Sequence, residues 1–312
     1  MLLTDYFRYP KDSTWDIARQ CGVGHGVIRL PEDVAFDVTN ASHWKKVYDD
    51  FINFGIKPII IEPMPNELHD HIKTGDEKRD ESIEKVIKMF PIMDKLDIRC
   101  ICFNWMAHIG WYRNVMNISE RGGAKVTGFN LADFVASDTC ITEEELWNNY
   151  EYFLKAVIPY AEKYGINLAL HPDDPPVKLG NLSRIMTSFE NIDKAINNIV
   201  PSNNLGVTMC QATYHIMGED LYQVIPKLAE KIFFVHFRNT TGTLENYRET
   251  FHDNGEIPMA DIMKLYKKSG VDVPVRVDHV PTMMGEETIN QGYDALGRFF
   301  AIGYLKGIIE AV

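Results

Sequence analysis

The sequence predicts an α/β fold, a single (β/α)8 TIM barrel spanning residues 1–312, on three observations. Short apolar, β-rich runs alternate with longer amphipathic ones along the whole chain, and right-handed crossovers turn such alternation into a parallel sheet covered by helices. The count reaches eight of each, which favours closure over an open sheet. No Gly-x-Gly-x-x-Gly follows the first run and no Walker-type loop is present, which argues against the nucleotide-binding open sheets.

Taken in order, the expected strands are Leu2–Phe7, His25–Leu30, Lys57–Glu62, Arg99–Trp105, Asn167–His171, Leu205–Cys210, Ile232–Arg238 and Pro274–His279. Leu168 to Leu170 lack polar alternation, as a strand covered on both faces should. Helical patterns fall between them at Ser13–Gly22, Ser42–Gly55, Arg79–Leu96, Glu143–Gly165, Leu182–Ile199, Asp220–Glu230 and Met259–Gly270, and a last one follows at Tyr293–Ala311. Thr142 before three glutamates reads as an N-cap with an acidic first turn, and Gly22, Gly55, Gly165 and Gly270 stand where a left-handed C-cap is wanted. Extended loops follow the third strand (Pro63 to Asp80) and the fourth (residues 107–141). Both lengthen the face where barrel active sites are built. The second contains Arg121-Gly122-Gly123, suited to a hairpin or a flexible tip and hence to a lid; a decorative or oligomer-forming insertion is the competing reading.

Composition narrows the function. A formal charge of −12 without a Lys/Arg-rich block repels phosphate backbones, so no nucleic-acid partner is expected. No apolar run reaches membrane-spanning length, and Met1-Leu2-Leu3-Thr4-Asp5 lacks a basic region before an apolar core, so a cytoplasmic protein without a membrane partner is expected. The 5 cysteines lack Cys-x-x-Cys spacing and indicate no disulfide framework.

The ends of the last four strands carry His171, Cys210, His236 and Asp278. Each alone has a bland reading: a satisfied histidine, a buried thiol, a capping aspartate. On successive strand ends of a barrel they converge on one point, and two imidazoles, a thiol and a carboxylate make a metal site by residue type. The set suits Zn²⁺ or Fe²⁺ readily, and Mn²⁺ where the cell supplies it. Beside them stand His279 and Tyr293, a candidate general acid/base pair, with Glu249 and His252 in the loop after the seventh strand. Arg238, followed by Asn239, is placed to clamp a carboxylate bidentately.

With these residues in hand the chain resembles the mannonate dehydratase family, whose barrel belongs to the xylose-isomerase-like group. The likeness is carried by Ala169-Leu170-His171-Pro172-Asp173-Asp174-Pro175-Pro176 with Leu182-Ser183-Arg184-Ile185, by Val235-His236-Phe237-Arg238-Asn239, by Glu249 through Gly255, by Val277-Asp278-His279, and by Gly292 through Arg298. It extends, more weakly, to Ile61-Glu62-Pro63-Met64-Pro65, His69, Trp111 and Arg113. The resemblance implies that His171, Cys210, His236 and Asp278 hold Mn²⁺ or Fe²⁺ and that His279 and Tyr293 serve the chemistry. It implies a substrate shell including Arg238, Asn239, His252, Glu249, His69 and Arg113. The implied reaction is dehydration of D-mannonate to 2-keto-3-deoxy-D-gluconate. Three departures touch that shell: Gln211-Ala212-Thr213 where the family usually has Gly-Ser, Val280-Pro281 where it has Gly-Arg, and Gly110 where it has Asp. The expected partner is therefore D-mannonate or a related aldonate, with a homo-oligomer compatible. The alternatives are a metal-dependent sugar isomerase or epimerase on the same scaffold and a non-catalytic sugar-acid-binding homologue.

Overall fold

In chain order the strands of the computed structural model are β1 (Leu2–Phe7), β2 (His25–Ile28), β3 (Lys57–Ile61), β4 (Cys100–Phe103), β5 (Val115–Ser119), β6 (Lys125–Asn130), β7 (Asn167–Leu170), β8 (Leu205–Cys210), β9 (Ile232–Phe237), β10 (Thr240–Thr243), β11 (Asn246–Glu249) and β12 (Pro274–Val277). The structure describes residues 1–286 and 291–312. Eight strands, all paired in parallel, close in the order β1-β12-β9-β8-β7-β4-β3-β2. The expected barrel is thus present, with every expected strand in it. The other four strands form a separate antiparallel sheet in the order β10-β11-β6-β5.

The helices are α1 (Ser13–Gln20), α2 (Ala41–Phe54), α3 (Asn66–Thr74), α4 (Arg79–Lys95), α5 (Glu143–Tyr164), α6 (Phe189–Lys194), α7 (Gln211–Ile216), α8 (Leu221–Leu228), α9 (Met259–Lys268) and α10 (Ala295–Ala311). Their ends follow the capping chemistry. Thr142 and Glu145 form a capping box at the start of α5, and Gly165 closes the helix in the left-handed region at φ 62°. Helix faces pack on the outside of the sheet, where Trp15 stacks on Phe51 at 3.9 Å between ring centroids. None of the described helices is long and apolar enough to cross a membrane.

Two expectations need correction. The helix expected over Leu182–Ile199 begins only at Phe189, because the Asp173 carboxylate accepts the Ile185 and Met186 N–H groups at 3.0 Å each and holds that segment as a loop. Ser188 then caps α6 by accepting from the Asn191 N–H. The last helix begins at Ala295, so Tyr293 lies in the loop before it. The loop over residues 107–141 supplies β5 and β6, which pair with each other, and β6 pairs in turn with β11. Its tip is tied down, with Arg121 bidentate to Asp253 at 2.7 and 2.9 Å.

Strand parity places the site. Tyr6, Val27, Ile60, Cys100, Cys102, Ala169 and Phe234 form a buried cluster of their own, the filling of the barrel. Thr208 belongs inside too, since its hydroxyl donates to Cys102 Sγ at 3.1 Å, as does Arg276, which binds Glu62. Side chains alternate across a strand, so the next inward position lies two residues on. For the eight strands that position is Arg8, Arg29, Glu62, Asn104, His171, Cys210, His236 and Asp278. One ring of eight residues therefore faces the C-terminal mouth.

Candidate metal centre and acid-base pair

All of that ring except Cys210 lines a cavity of about 340 Å³ at the mouth, together with Lys73, Trp111, His279 and Tyr293. Cys210 lies just beneath, fully buried. His171, Cys210 and His236 offer donor atoms that all lie within 4.8 Å of one another. Asp278 joins from the side, its Oδ2 3.6 Å from His236 Nδ1, without completing a four-membered set at that spacing.

The chemistry of these atoms fits a divalent cation. His171 Nδ1 sits 2.6 Å from the Pro172 carbonyl, which can only accept, so the proton is on Nδ1 and Nε2 carries a lone pair. His236 Nε2 lies 2.9 Å from Glu62 Oε1; the N–H is not aligned as a hydrogen bond, but the carboxylate favours the proton on that side and leaves Nδ1 as the acceptor. The two acceptor nitrogens then face each other at 3.2 Å beside a carboxylate oxygen. Electron pairs converging without a proton between them repel, and a metal ion relieves this. Two donors point at the Cys210 sulfur, Thr213 Oγ1 at 3.1 Å and Arg238 Nη1 at 3.5 Å, which suits a sulfur carrying negative charge.

One guanidinium orients two of these groups. Arg276 donates to both Glu62 oxygens at 2.9 Å and to Asp278 Oδ1 at 2.8 Å. Burial alone would raise the Glu62 pKa, but Arg276 and His236 outweigh it and hold the carboxyl well below the usual range. Asp278 follows the same pattern: burial opposes ionisation, and His279, Arg276, His236 and Arg238 override it. A second group of close donor atoms, Glu62, Cys102 and His236, is better read as support for the first. Arg276 occupies both Glu62 oxygens, and burial followed by the charge of Glu62 pushes the Cys102 thiol well above its ordinary value, so it stays protonated.

His279 and Tyr293 are brought together as expected. His279 Nε2 lies 3.0 Å from the Tyr293 hydroxyl, and its Nδ1 lies 3.1 Å from Glu249 Oε1. Glu249 is held ionised down to about 2: burial would raise it, and Arg238, His279 and Arg113 lower it further than burial lifts it. An ionised carboxylate accepts, so Nδ1 carries the His279 proton and Nε2 accepts from the phenol. Burial first, and then Asp278, raise Tyr293 well above its ordinary value, keeping the phenol protonated. Trp111 covers the His279 ring at 4.6 Å between centroids.

The residues assigned to a substrate shell occupy other places. None of Arg238, Asn239, His252, Glu249, His69 or Arg113 lines the cavity. Arg113 and Arg238 are buried between two carboxylates: Asp174 accepts from Arg113 at 2.7 and 2.9 Å and from Arg238 at 2.8 Å, and Glu249 accepts from both guanidiniums at 2.8 to 3.1 Å. Tyr247 adds a 2.7 Å bond to Asp174. This closed network joins the second sheet to the barrel and leaves neither arginine as a free carboxylate clamp. Asn239 staples its own loop, donating to the His252 and Ile257 carbonyls at 3.0 Å and accepting from the Thr240 and Ile257 N–H groups. His69 is buried among Phe103, Trp105 and Phe153, and burial, then Lys73, keeps it neutral. His252 lines a different hollow beside Pro258 and Tyr304; burial lowers its pKa to about 4.

Of the three sequence departures, Gly110 lines the cavity, whereas Gln211 and Val280 are buried outside its lining. Gln211 donates to the Arg238 carbonyl at 3.2 Å and accepts from Tyr266 at 3.2 Å.

Known proteins resemble this chain over most of its length. A family profile described as D-mannonate dehydratase (UxuA) matches residues 6–140 and 132–312. A mannonate dehydratase of Streptococcus equi subsp. zooepidemicus is 29% identical over 323 residues, covering 93% of this chain and 87% of the relative. One from Streptococcus agalactiae serotype Ia is 31% identical, over 83% of this chain and 82% of the relative. The crystal structure of mannonate dehydratase from Streptococcus suis serotype 2 superposes with a TM-score of 0.89 at 26% identity, covering 100% of this chain and 93% of that one. D-psicose 3-epimerase from Clostridium cellulolyticum H10 shares the fold, with a TM-score of 0.66 at 13% identity over 99% of each chain.

Proposed function

The chain belongs to the D-mannonate dehydratase family, and from that premise we propose that it is a hydro-lyase converting D-mannonate to 2-keto-3-deoxy-D-gluconate and water. The observation that carries the mechanism is the Glu249–His279–Tyr293 chain beside the donor cluster. His171, Cys210, His236 and Asp278 are the proposed ligands of Mn²⁺ or Fe²⁺, with Zn²⁺ also suited to the set. Bound there, the ion would supply positive charge against the substrate carboxylate, where negative charge grows as the C2 proton leaves.

The chain's own residues divide the proton work. His279 Nε2, holding a lone pair because Glu249 fixes the proton on Nδ1, takes the proton from C2. Tyr293, kept protonated by burial, gives its proton to the departing C3 hydroxyl, which leaves as water. His279 is then cationic and Tyr293 anionic, and transfer across their 3.0 Å contact restores both. The enol product ketonises by protonation at C3 and loss of the C2 hydroxyl proton, which completes the 2-keto-3-deoxy acid. Trp111 packs against both rings of the pair and limits access of bulk water.

D-mannonate deuterated at C2 tests this assignment. His279→Asn and Tyr293→Phe should each lower turnover by about 10²- to 10⁴-fold, with metal content retained, and His279→Asn should also abolish loss of the C2 label. Label loss at the native rate in His279→Asn would remove His279 as the base.

A further inference from the structure

We infer that the Lys73–Asp70 ion pair binds the C5 and C6 hydroxyls of the sugar acid and thereby sets the chain length that the cavity selects. The inference rests on the proposed function and assigns the end of the substrate that the chemistry does not touch.

Helix α3 carries the site. Asn66, Asp70 and Lys73 stand at spacings i, i+4 and i+7, which puts them on one stripe of the helix, and all three line the cavity. Leu68, His69 and Ile72 lie off that stripe and are buried. His69 packs against the rings of Phe103, Trp105 and Phe153. The helix thus turns an apolar face to the core and a polar edge to the cavity that His171, His236, His279 and Tyr293 also line.

The pair is graded across the cavity wall. Lys73 Nζ lies 2.7 Å from Asp70 Oδ1, and the lysine side chain is 2% exposed against 58% for the aspartate. The ammonium therefore sits inside and the carboxylate at the rim. Burial lowers the Lys73 pKa, and Asp70 opposes that effect. An ammonium carries three donors, and one carboxylate oxygen at 2.7 Å takes one of them. The cavity is where a ligand can meet the others.

The chemistry of the pair selects a diol. A hydroxyl both donates and accepts, so of two adjacent hydroxyls one accepts from Lys73 while the other donates to Asp70. Ammonium and carboxylate together carry no net charge, which suits neutral hydroxyls better than a second acid group that Asp70 would repel. With C1 and C2 at the donor cluster and the C3 hydroxyl at Tyr293, the hydroxyls of C5 and C6 are the adjacent pair left for the outer wall.

The experiment uses the Mn²⁺-loaded protein with D-mannonate and L-erythronate, the four-carbon acid that keeps the C2 and C3 configuration but lacks C5 and C6. Binding is read by calorimetric titration. The native protein should bind D-mannonate about 10- to 100-fold tighter than L-erythronate, the range of hydrogen bonds to charged groups. Lys73→Met should cut that ratio about tenfold, and Asp70→Asn, which turns a charge-assisted bond into a neutral one at a half-exposed position, about fivefold. In both variants the loss should fall on D-mannonate, with L-erythronate affinity within a few-fold of native. Equal binding of the two acids by the native protein, a ratio unchanged in both variants, or equal weakening of both acids, as a purely structural role requires, overturns the inference. Failure of D-mannonate to give product defeats the dehydratase reading alone, since the affinity ratios still decide this one.

Discussion

Glu249→Gln separates orientation of the base from mere integrity of the fold. In the native protein Glu249 accepts four bonds from Arg113 and Arg238, at 2.8 to 3.1 Å, and a fifth contact from His279 Nδ1 at 3.1 Å. An amide keeps one acceptor oxygen and turns the other position into a donor. If the oxygen stays toward Arg113 and His279, the new NH₂ opposes the Arg238 Nε–H. If it turns the other way, the NH₂ faces His279 and favours the tautomer with its proton on Nε2, which can no longer accept. Breaking one side of a buried ion pair costs about 3 to 5 kcal/mol. Loss of the working tautomer should lower kcat by about 10²- to 10⁴-fold, the scale of general acid-base catalysis. Tyr247→Phe is the control. It removes the 2.7 Å bond to Asp174 in the same network, costs about 1 to 3 kcal/mol, and leaves His279 untouched. The assays are denaturant unfolding, bound-metal analysis and steady-state kinetics. A Glu249→Gln kcat within a few-fold of native, or a Tyr247→Phe kcat depressed as far as that of Glu249→Gln, would refute the orienting role.

Three further outcomes follow from the same contacts. Glu62→Gln should weaken metal affinity about 10- to 100-fold in competitive chelator titrations, since Glu62 sets the His236 proton; unchanged affinity would make it a purely structural partner of Arg276. Acid should destabilise the protein through Glu249, whose folded pKa lies below its ordinary 4.5, at about 2. A depressed carboxylate contributes stability above its unfolded pKa and loses it as pH falls through the folded one, so on the order of 3 kcal/mol should vanish between pH about 4.5 and about 2; a denaturation midpoint flat across that window would contradict this. Gly255→Ala places a Cβ 2.1 Å from Asn239 Oδ1, which already holds two loop N–H groups. The loop must shift, at a cost of about 1 to 3 kcal/mol by unfolding; a neutral result would show that Asn239 does not staple it.

The barrel was legible because its strands announce themselves twice, as apolar runs and as the places where the chain turns polar. His171, Cys210, His236 and Asp278 were legible for the same reason, each standing at the end of such a run. Extending the alternation to the first four strands adds Arg8, Arg29, Glu62 and Asn104, and only the closed ring shows that these share the mouth with the donor cluster. The second sheet was hidden because β5 exposes most of its residues, and β10 and β11 are four residues each, the buried face of β11 being Tyr247 and a charged Glu249 rather than an apolar alternation. That concealment misdirected the reading of Arg113 and Arg238. A strand-end arginine beside a candidate active site looks like a substrate clamp until β11 brings Glu249 against it. The helix expected from Leu182 failed for a related reason: a buried carboxylate, Asp173, takes N–H groups that a helix would otherwise use.

Mass-resolved product analysis after anaerobic incubation of the Mn²⁺-loaded protein with D-mannonate tests the central claim most directly. The expected product is a 2-keto-3-deoxy acid lighter than the substrate by one water. Recovery of D-mannonate unchanged, or of an isomer of the same mass, from protein with its metal bound and its fold intact would contradict it.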